Sequence, residues 1–368
     1  MNKRNFLKTA TILTTAIAAK PAAAFGINKK LKLEDDVLIG HGGFKYKVHK
    51  NWAKISPAHN PLFNCHEMVM DSKGRLIMIG DHTNNNILVF DKSGKLLDFW
   101  GTQYPGGHGL SIGKEGEADF LVITDCGYFQ DKNGGWQRQS GQVFKTTIDG
   151  KLIFNFGHPH AIGVYKADER FQPTETAVAP NGDIYVADGY GSDYIIQYDA
   201  RGKYIRHFGG HNNSNPDHNL KNAHGVAIDN RDKNNPVLVC TSRSEQCFKF
   251  FTLDGKYIKT IAMPGLYVCR AVIDDKNIYA GVCWSDKKDG QKQAKDSGFV
   301  TILDNANKVV SNPGGTEPQY VNGQLQQMFQ TSEKIFNHGH DVCVDDDKNV
   351  YVCQWNANQT APIKLERV

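Results

Sequence analysis

The stretch Thr176-Ala-Val-Ala-Pro-Asn-Gly-Asp-Ile-Tyr-Val-Ala-Asp188, continued by Tyr194-Ile-Ile-Gln-Tyr-Asp199 and Gly202-Lys-Tyr-Ile-Arg-His-Phe-Gly209, reads as four short strands joined by turns. Its alternating, β-branched and aromatic residues sit between Asn-Gly and Asp/Gly turn signals, which argues for strands over helices. The unit recurs. Further copies begin near Cys65, Gly107, Ala223, Val268 and Gly339. Their closing turns read Asp91-Lys-Ser-Gly-Lys95, Asp149-Gly-Lys151, Asp199-Ala-Arg-Gly-Lys203, Asp254-Gly-Lys256 and, less clearly, Asp304-Asn-Ala-Asn-Lys308.

Four-stranded units repeated about 40 residues apart describe an all-β fold, a β-propeller, in which radial closure protects the sheet edges. Six copies make six blades in one domain over residues 25–368. The sixth copy runs out of chain after Ile363-Lys-Leu-Glu-Arg-Val368, so Gly43-Phe-Lys-Tyr-Lys-Val-His49 is expected to supply its outer strand and close the ring. Longer insertions fall between Gly127 and Ser140, Ser285 and Ser297, and Asn312 and Asn337. The last contains Gly323 to Phe336, the one segment expected to be helical.

The composition agrees with a packed core. Of 368 residues, 40% are hydrophobic and 22% charged, with 36 Gly and 13 Pro, which excludes a disordered, collagen-like or coiled-coil chain. The formal charge of +4 resides in Lys3, Arg4, Lys8 and Lys20. Without those four the 43 Lys and Arg fall to 39, equal to the 39 Asp and Glu. A neutral remainder offers no footprint for nucleic acid or anionic lipid.

Residues 1–24 have a basic start, an apolar stretch from Thr9 to Ala19 and a small-residue end at Ala22-Ala23-Ala24, the layout of an export signal. Lys3-Arg4-Asn5-Phe6-Leu7-Lys8 is similar to a twin-arginine signal with Lys in place of the first arginine. The expectation is a bacterial periplasmic or secreted protein with no membrane span, a monomer because a closed ring leaves no edge demanding a partner. Cys240 with Cys247, Cys269 with Cys283, and Cys343 with Cys353 would face each other across hairpins. Adjacent-strand disulfides are strained, so buried thiols are expected.

In a propeller the first strand of each blade lines the axis, and its start lies on the face that carries the loop between the second and third strands. Aligned on that strand, the copies place His66, His108, His224 and His340 at the inner position of blades 1, 2, 4 and 6. Glu175 holds it in blade 3, and Cys269 or Arg270 in blade 5, depending on one residue of slack. Any one of these histidines could simply hold a turn. Symmetry favours more, because His108, His224 and His340 occupy alternate blades, about 120° apart. Three neutral imidazoles so arranged leave an open fourth position, which suits catalytic zinc ahead of copper or iron.

At these residues the sequence resembles the NHL-repeat propellers and, within them, the peptidyl-α-hydroxyglycine α-amidating lyases. The resemblance rests on His108-Gly-Leu-Ser-Ile112, Gln172-Pro-Thr174, Asp188-Gly-Tyr190, Ile195-Ile-Gln-Tyr198, Ala223-His224 and His340-Asp341-Val342, and covers blades 1 to 4 and 6. It implies zinc on His108, His224 and His340; His66, at the inner position of blade 1, is a further candidate ligand of the same zinc or other transition metal. It also implies a structural calcium on the Asp341 carboxylate and the main-chain carbonyls of Met68 and Leu110. Tyr190 is the implied base, and Arg243 corresponds to a second family arginine. The implied reaction cleaves a carbinolamide, a peptide ending in α-hydroxyglycine, into a peptide amide and glyoxylate.

The sequence also departs from the family. Gly80-Asp81-His82 is present, but Ile79 stands where the family has a catalytic arginine. His66 and His338 stand where the family has other residue types, and with Glu175, His82 and Arg270 they are expected around the pocket. Loss of a carboxylate-clamping guanidinium argues for a changed small-molecule or peptide substrate. Two other readings stay open: a non-catalytic propeller binding a peptide, glycan or protein on its top face, with Trp284 and Trp355 exposed there, and a copper redox enzyme.

Overall fold

The computed structural model describes residues 37–131 and 133–368; the expected export segment lies outside them. Six sheets follow one another along the chain. Blade 1 comprises Cys65–Met70, Leu76–Gly80, Ile87–Phe90 and Leu96–Trp100, and blade 2 comprises Gly107–Glu115, Ala118–Asp125, Gln142–Thr147 and Leu152–Asn155. Blades 3, 4 and 5 begin at Glu175–Val178, Val226–Asp229 and Leu266–Ile273. Within each blade consecutive strands pair antiparallel. The inner strands of successive blades touch all the way round, blade 6 meeting blade 1, so the sheets form a propeller ring.

Burial explains why the strand patterns differ. The second strands, such as Leu76–Gly80 and Ile184–Ala187, are buried along their whole length because neighbouring blades cover both faces, so they read as continuous apolar runs. The outer strands Leu96–Trp100 and Tyr257–Ala262 are largely exposed. The recurring Asp turns have a local cause as well. Asp91 Oδ1 accepts from the amides of Ser93 and Lys95, and Asp199 Oδ1 from those of Arg201 and Lys203. Such side-chain turns mimic a backbone turn.

Blade 6 is assembled from both ends of the chain. Gly339–Val344, Val350–Gln354 and Ile363–Arg367 are completed by Phe44–His49, paired in the register Tyr46 to Arg367 and His49 to Lys364. Leu38–His41 adds a fifth strand. Trp52 seals the seam, its ring 5.4 Å from that of Phe90 in blade 1 and 4.8 Å from that of Tyr351 in blade 6. Emptying such a buried aromatic site costs about 3–5 kcal/mol.

Two local expectations differ from the structure. Gly323 to Phe336 is not helical: Asn322-Gly323 turns a small hairpin between Tyr320–Val321 and Gln324–Leu325, with φ of 50° and 78°. That dipeptide is the favoured two-residue hairpin turn. The eight cysteines are buried free thiols as expected, but not all of them face one another as the hairpin alignment predicts. Two of the supposed pairs are not opposed, since Cys240 faces Lys249 and Cys343 faces Tyr351. No helix among the described residues is long and apolar enough to cross a membrane.

Candidate metal centre

The axial site depends on a repeated irregularity. The inner strands of blades 1, 2, 5 and 6 shift register just after they begin, between Cys65 and Glu67, Gly107 and Leu110, Val268 and Ala271, and Gly339 and Asp341. A regular strand turns successive side chains to opposite faces, whereas a bulge re-aims one of them. Here the bulges bring consecutive residues to the axis. His66 precedes Glu67, Cys269 precedes Arg270, and His340 precedes Asp341. Two layers result, one of imidazoles and one of carboxylates around a guanidinium.

In the first layer the ring centroids of His108, His224 and His340 form a nearly equilateral triangle with sides of 4.7 to 4.9 Å. All three are buried, at 1%, 1% and 2% exposure. Main-chain oxygens fix two tautomers. His108 Nδ1 donates to the Thr174 carbonyl (2.8 Å) and His340 Nδ1 to that of His66 (3.0 Å). Each Nε2 is therefore an unprotonated donor atom, an orientation typical of metal-ligating histidines. His340 Nε2 and His224 Nδ1 are buried without a hydrogen-bond partner.

Burial holds all three imidazoles well below their usual pKa; His66 adds to the effect at His108, Arg243 at His224 and His108 at His340. They are neutral, as metal ligation requires. His66 lies 4.7 Å from His108 and 5.0 Å from His340 by ring centroid, with Nε2 turned 3.3 Å from Asp81 and Nδ1 unpartnered. Donor atoms of His66, His108 and His340 lie within 4.8 Å of one another, as do those of His224, Cys269 and His340.

Tyr190, on the loop between the second and third strands of blade 3, completes this layer. Its hydroxyl lies 3.2 Å from His108 Nε2 and 3.1 Å from His224 Nε2. Burial pushes its pKa up, while the guanidinium of Arg243 favours the phenolate. Arg243 is buried, donating from Nε to Asn222 Oδ1 (2.5 Å), with Nη1 3.8 Å from Cys269 Sγ and its charge 5.7 Å and 5.0 Å from the ring centroids of Tyr190 and Trp284.

A cavity of about 420 Å³ opens onto this layer, walled by His66, His108, Tyr190, Arg243, Trp284 and Trp355. The two tryptophans are half-buried, packed edge to face 6.0 Å apart. The insertion after Gly127 contributes a hairpin, Tyr128–Gln130 against Trp136–Arg138, in which Tyr128 and Trp136 stack at 4.7 Å. Both rings and Arg138 line the same cavity.

The second layer holds Glu67, Glu175 and Asp341, at most 1% exposed, and Arg270, 8% exposed. Arg270 donates to Asp341 from Nη2 (2.7 Å) and Nε (3.2 Å), to the Leu110 carbonyl from Nη1 (2.9 Å) and to the Met68 carbonyl from Nη2 (3.3 Å). It lies 3.5 Å from both Glu67 and Glu175. Burial raises Glu67 well above the carboxylate range, with the Glu175 charge adding to it, and holds Glu175 up at about 7 against the pull of Arg270. The calcium implied at Asp341, Met68 and Leu110 does not fit this arrangement, because the same oxygens already hold a guanidinium.

The remaining expected residues stand apart from the imidazole layer. Glu175 and Arg270 belong to the second layer. His82 is half-buried beside Phe63, ring centroids 4.5 Å apart, and does not line the cavity; its neighbour Asp81 does. His338 turns Nδ1 and Nε2 to the carbonyls of Trp355 (3.1 Å) and Lys295 (2.5 Å), so it has no donor atom left for a metal. Ile79 is fully buried in blade 1. Glu67, Asp81 and Arg138 were not singled out from the sequence. For Glu67 the available signal was its place directly after an inner histidine, the position Asp341 holds after His340.

No family model matches the chain. It is 28% identical over 210 residues to a probable peptidyl-α-hydroxyglycine α-amidating lyase of Caenorhabditis elegans, covering 55% of this chain and 52% of that protein. It is 25% identical over 305 residues to peptidyl-glycine α-amidating monooxygenase B of Xenopus laevis, covering 78% of this chain and 30% of that protein. The chain thus spans about half or less of the length of these curated relatives. Among solved structures, a gluconolactonase from Xanthomonas campestris matches with a TM-score of 0.53 at 12% identity, covering 88% of this chain and 90% of that one. A streptogramin B lyase matches with a TM-score of 0.50 at 13% identity, covering 83% and 94%. These structures share the fold. The chain is a six-bladed propeller that resembles the peptidyl-α-hydroxyglycine α-amidating lyases.

Proposed function

We propose that this protein is an exported, zinc-dependent lyase that cleaves a carbinolamide C–N bond. The observation that carries the reading is the triangle of neutral imidazoles from blades 2, 4 and 6 with the Tyr190 hydroxyl 3.1 to 3.2 Å from two of them. His108, His224 and His340 would hold the ion, and the orphaned Nε2 of His340 fits that role. The orphaned atom of His224 is Nδ1, and its donors cluster with those of His340 and Cys269 rather than with His108. Zinc bound there supplies a Lewis acid that lowers the pKa of a substrate hydroxyl.

The chain's own groups do the rest. Tyr190 takes the proton from the carbinol hydroxyl, the C–N bond breaks as the C=O bond forms, and Tyr190 returns the proton to the departing amide nitrogen. The products are a carboxamide and an aldehyde. A free phenol near pKa 10 is a poor base at neutral pH, and burial raises Tyr190 further. The adjacent Arg243 charge offsets part of that rise and is joined by the bound ion in favouring the phenolate. The aromatic walls exclude water from the reacting carbon. With Ile79 in place of the family arginine, the substrate carboxylate is left to Arg138 and Arg243, the cations lining the cavity.

The test is a glyoxylate-release assay with an α-hydroxyglycine-extended peptide, paired with metal analysis of protein purified without added metal. Stoichiometric zinc with glyoxylate formed in proportion to enzyme supports the proposal. Stoichiometric zinc without turnover leaves a binding propeller, and copper in zinc's place redirects the reading to redox chemistry, for which His66 and Cys269 offer further donors.

A further inference from the structure

Three buried carboxylates and two main-chain carbonyls converging on one point make an all-oxygen cradle, the ligand set a hard divalent cation takes. Here they meet a side chain instead. Six oxygens lie within 3.5 Å of the Arg270 guanidinium nitrogens: both of Asp341, the carbonyls of Met68 and Leu110, and one each of Glu67 and Glu175. They come from blades 1, 2, 3 and 6, and Arg270 itself from blade 5.

We propose that Arg270 is a built-in structural cation, a covalently tethered replacement for a metal ion at the centre of the ring, and that its removal exposes a latent calcium site.

Two features of the backbone are specific to this role. The bulge between Val268 and Ala271 lets Cys269 face the imidazole layer while Arg270 enters the carboxylate layer. Gly225, next to His224 in blade 4, admits the Arg270 backbone: a Cβ there would stand 2.7 Å from Arg270 Cα. Blade 4 thus contributes space where the other blades contribute oxygens. Arg270 and Met68 also line the larger cavity, about 940 Å³, at the far ends of the inner strands. The guanidinium therefore stands between the two mouths of the axis.

A planar fork with five donors can satisfy acceptors spread around a plane, which a lysine ammonium cannot. A tethered cation is also never lost by dilution, whereas an exchangeable ion stabilises only where its concentration exceeds its dissociation constant, and then with the logarithm of that ratio. The inference does not require any metal in the imidazole layer.

The experiment follows thermal unfolding in calcium-free buffer with zinc held constant, then with calcium or magnesium added. The parent protein should melt at the same temperature in all three and retain no calcium after dialysis; a melting temperature that rises with calcium overturns the proposal. Arg270→Ala should melt about 10 °C lower, as expected for stranding buried charges, and calcium should restore most of that loss while magnesium does not. Arg270→Ala that folds and melts like the parent, with or without calcium, also overturns it. Should Arg270→Ala not fold, the calcium response of the parent still decides. Asp341→Asn added to Arg270→Ala should abolish the calcium rescue, and rescue that persists counts against the shared cradle.

Discussion

His340 Nδ1 lies 3.0 Å from the main-chain oxygen of His66 in the neighbouring blade, so the proton is fixed on Nδ1 and Nε2 is left as a bare, buried donor atom. A carbonyl can only accept, which makes this tautomer a consequence of backbone position. Replacing His108, His224 or His340 by Ala should each release the metal, leaving less than about a tenth bound, since losing even an outer-shell partner costs 10–100-fold in affinity. Metal analysis after dialysis checks this. Full retention by all three variants would remove the triad.

Tyr190→Phe keeps the ring contacts and deletes the hydroxyl between His108 and His224. Metal content should be unchanged and turnover should fall by about 10²–10⁴-fold, the usual worth of a positioned acid–base group. Turnover equal to the parent's would take Tyr190 out of the mechanism.

Arg138 sits on the inserted hairpin with its charge 5.3 Å from the Tyr128 ring centroid. If it receives the substrate carboxylate, Arg138→Ala should raise KM by about 10–100-fold, the value of one charge-assisted hydrogen bond, with little change in kcat. A substrate analogue carrying a carboxamide in place of the carboxylate should show no difference between the two proteins.

Acidification acts on the metal-free protein through its buried imidazoles. His224 has a pKa held well below 6.5 by burial and by Arg243, so below that pH the unfolded chain binds a proton that the folded chain refuses. Its contribution to stability is thus present above pH 6.5 and is lost on acidification, at about 1.4 kcal/mol per pH unit. Glu67 and Glu175, raised by burial, act in the opposite sense, so the comparison is made as a difference. Urea unfolding of metal-free His224→Gln should show an acid-side slope smaller than the parent's by about that amount. Equal slopes would mean His224 titrates normally in the fold.

Gly109 is the residue on which the blade 2 bulge depends. A Cβ there would lie 2.5 Å from Thr124 Oγ1, 2.7 Å from the Thr174 carbonyl and 2.9 Å from Glu175 Cα. Gly109→Ala should therefore destabilise the protein by about 1–3 kcal/mol and displace His108 on one side and Leu110 on the other. Calorimetry and metal analysis of this variant read both effects.

The blades were legible in the sequence because strand alternation and Asp-turn chemistry are local and were written repeatedly, and even the Phe44–His49 closure followed from the shortfall after Val368. The inner histidines could be found by alignment for the same reason. The second layer was not legible. Whether Cys269 or Arg270 reaches the axis depends on a bulge, and alignment of regular strands offers one or the other where the backbone delivers both. Glu67 was hidden similarly, since strict alternation turns it away from the axis that His66 faces. The helix expected over Gly323 to Phe336 fails for a different reason: Asn322-Gly323 at its start forms a two-residue hairpin turn.

The strand Phe44–His49 is synthesised long before Ile363–Arg367, the strand it must pair with. A nascent chain therefore holds it without its partner strand while the intervening blades emerge, and the contact between His66 and His340 joins residues 274 positions apart. The full imidazole layer thus draws on both the first blade and the last. Without Ile363–Arg367, both Phe44–His49 and Val350–Gln354 would present an unpaired edge in blade 6, an exposure that invites pairing with another chain.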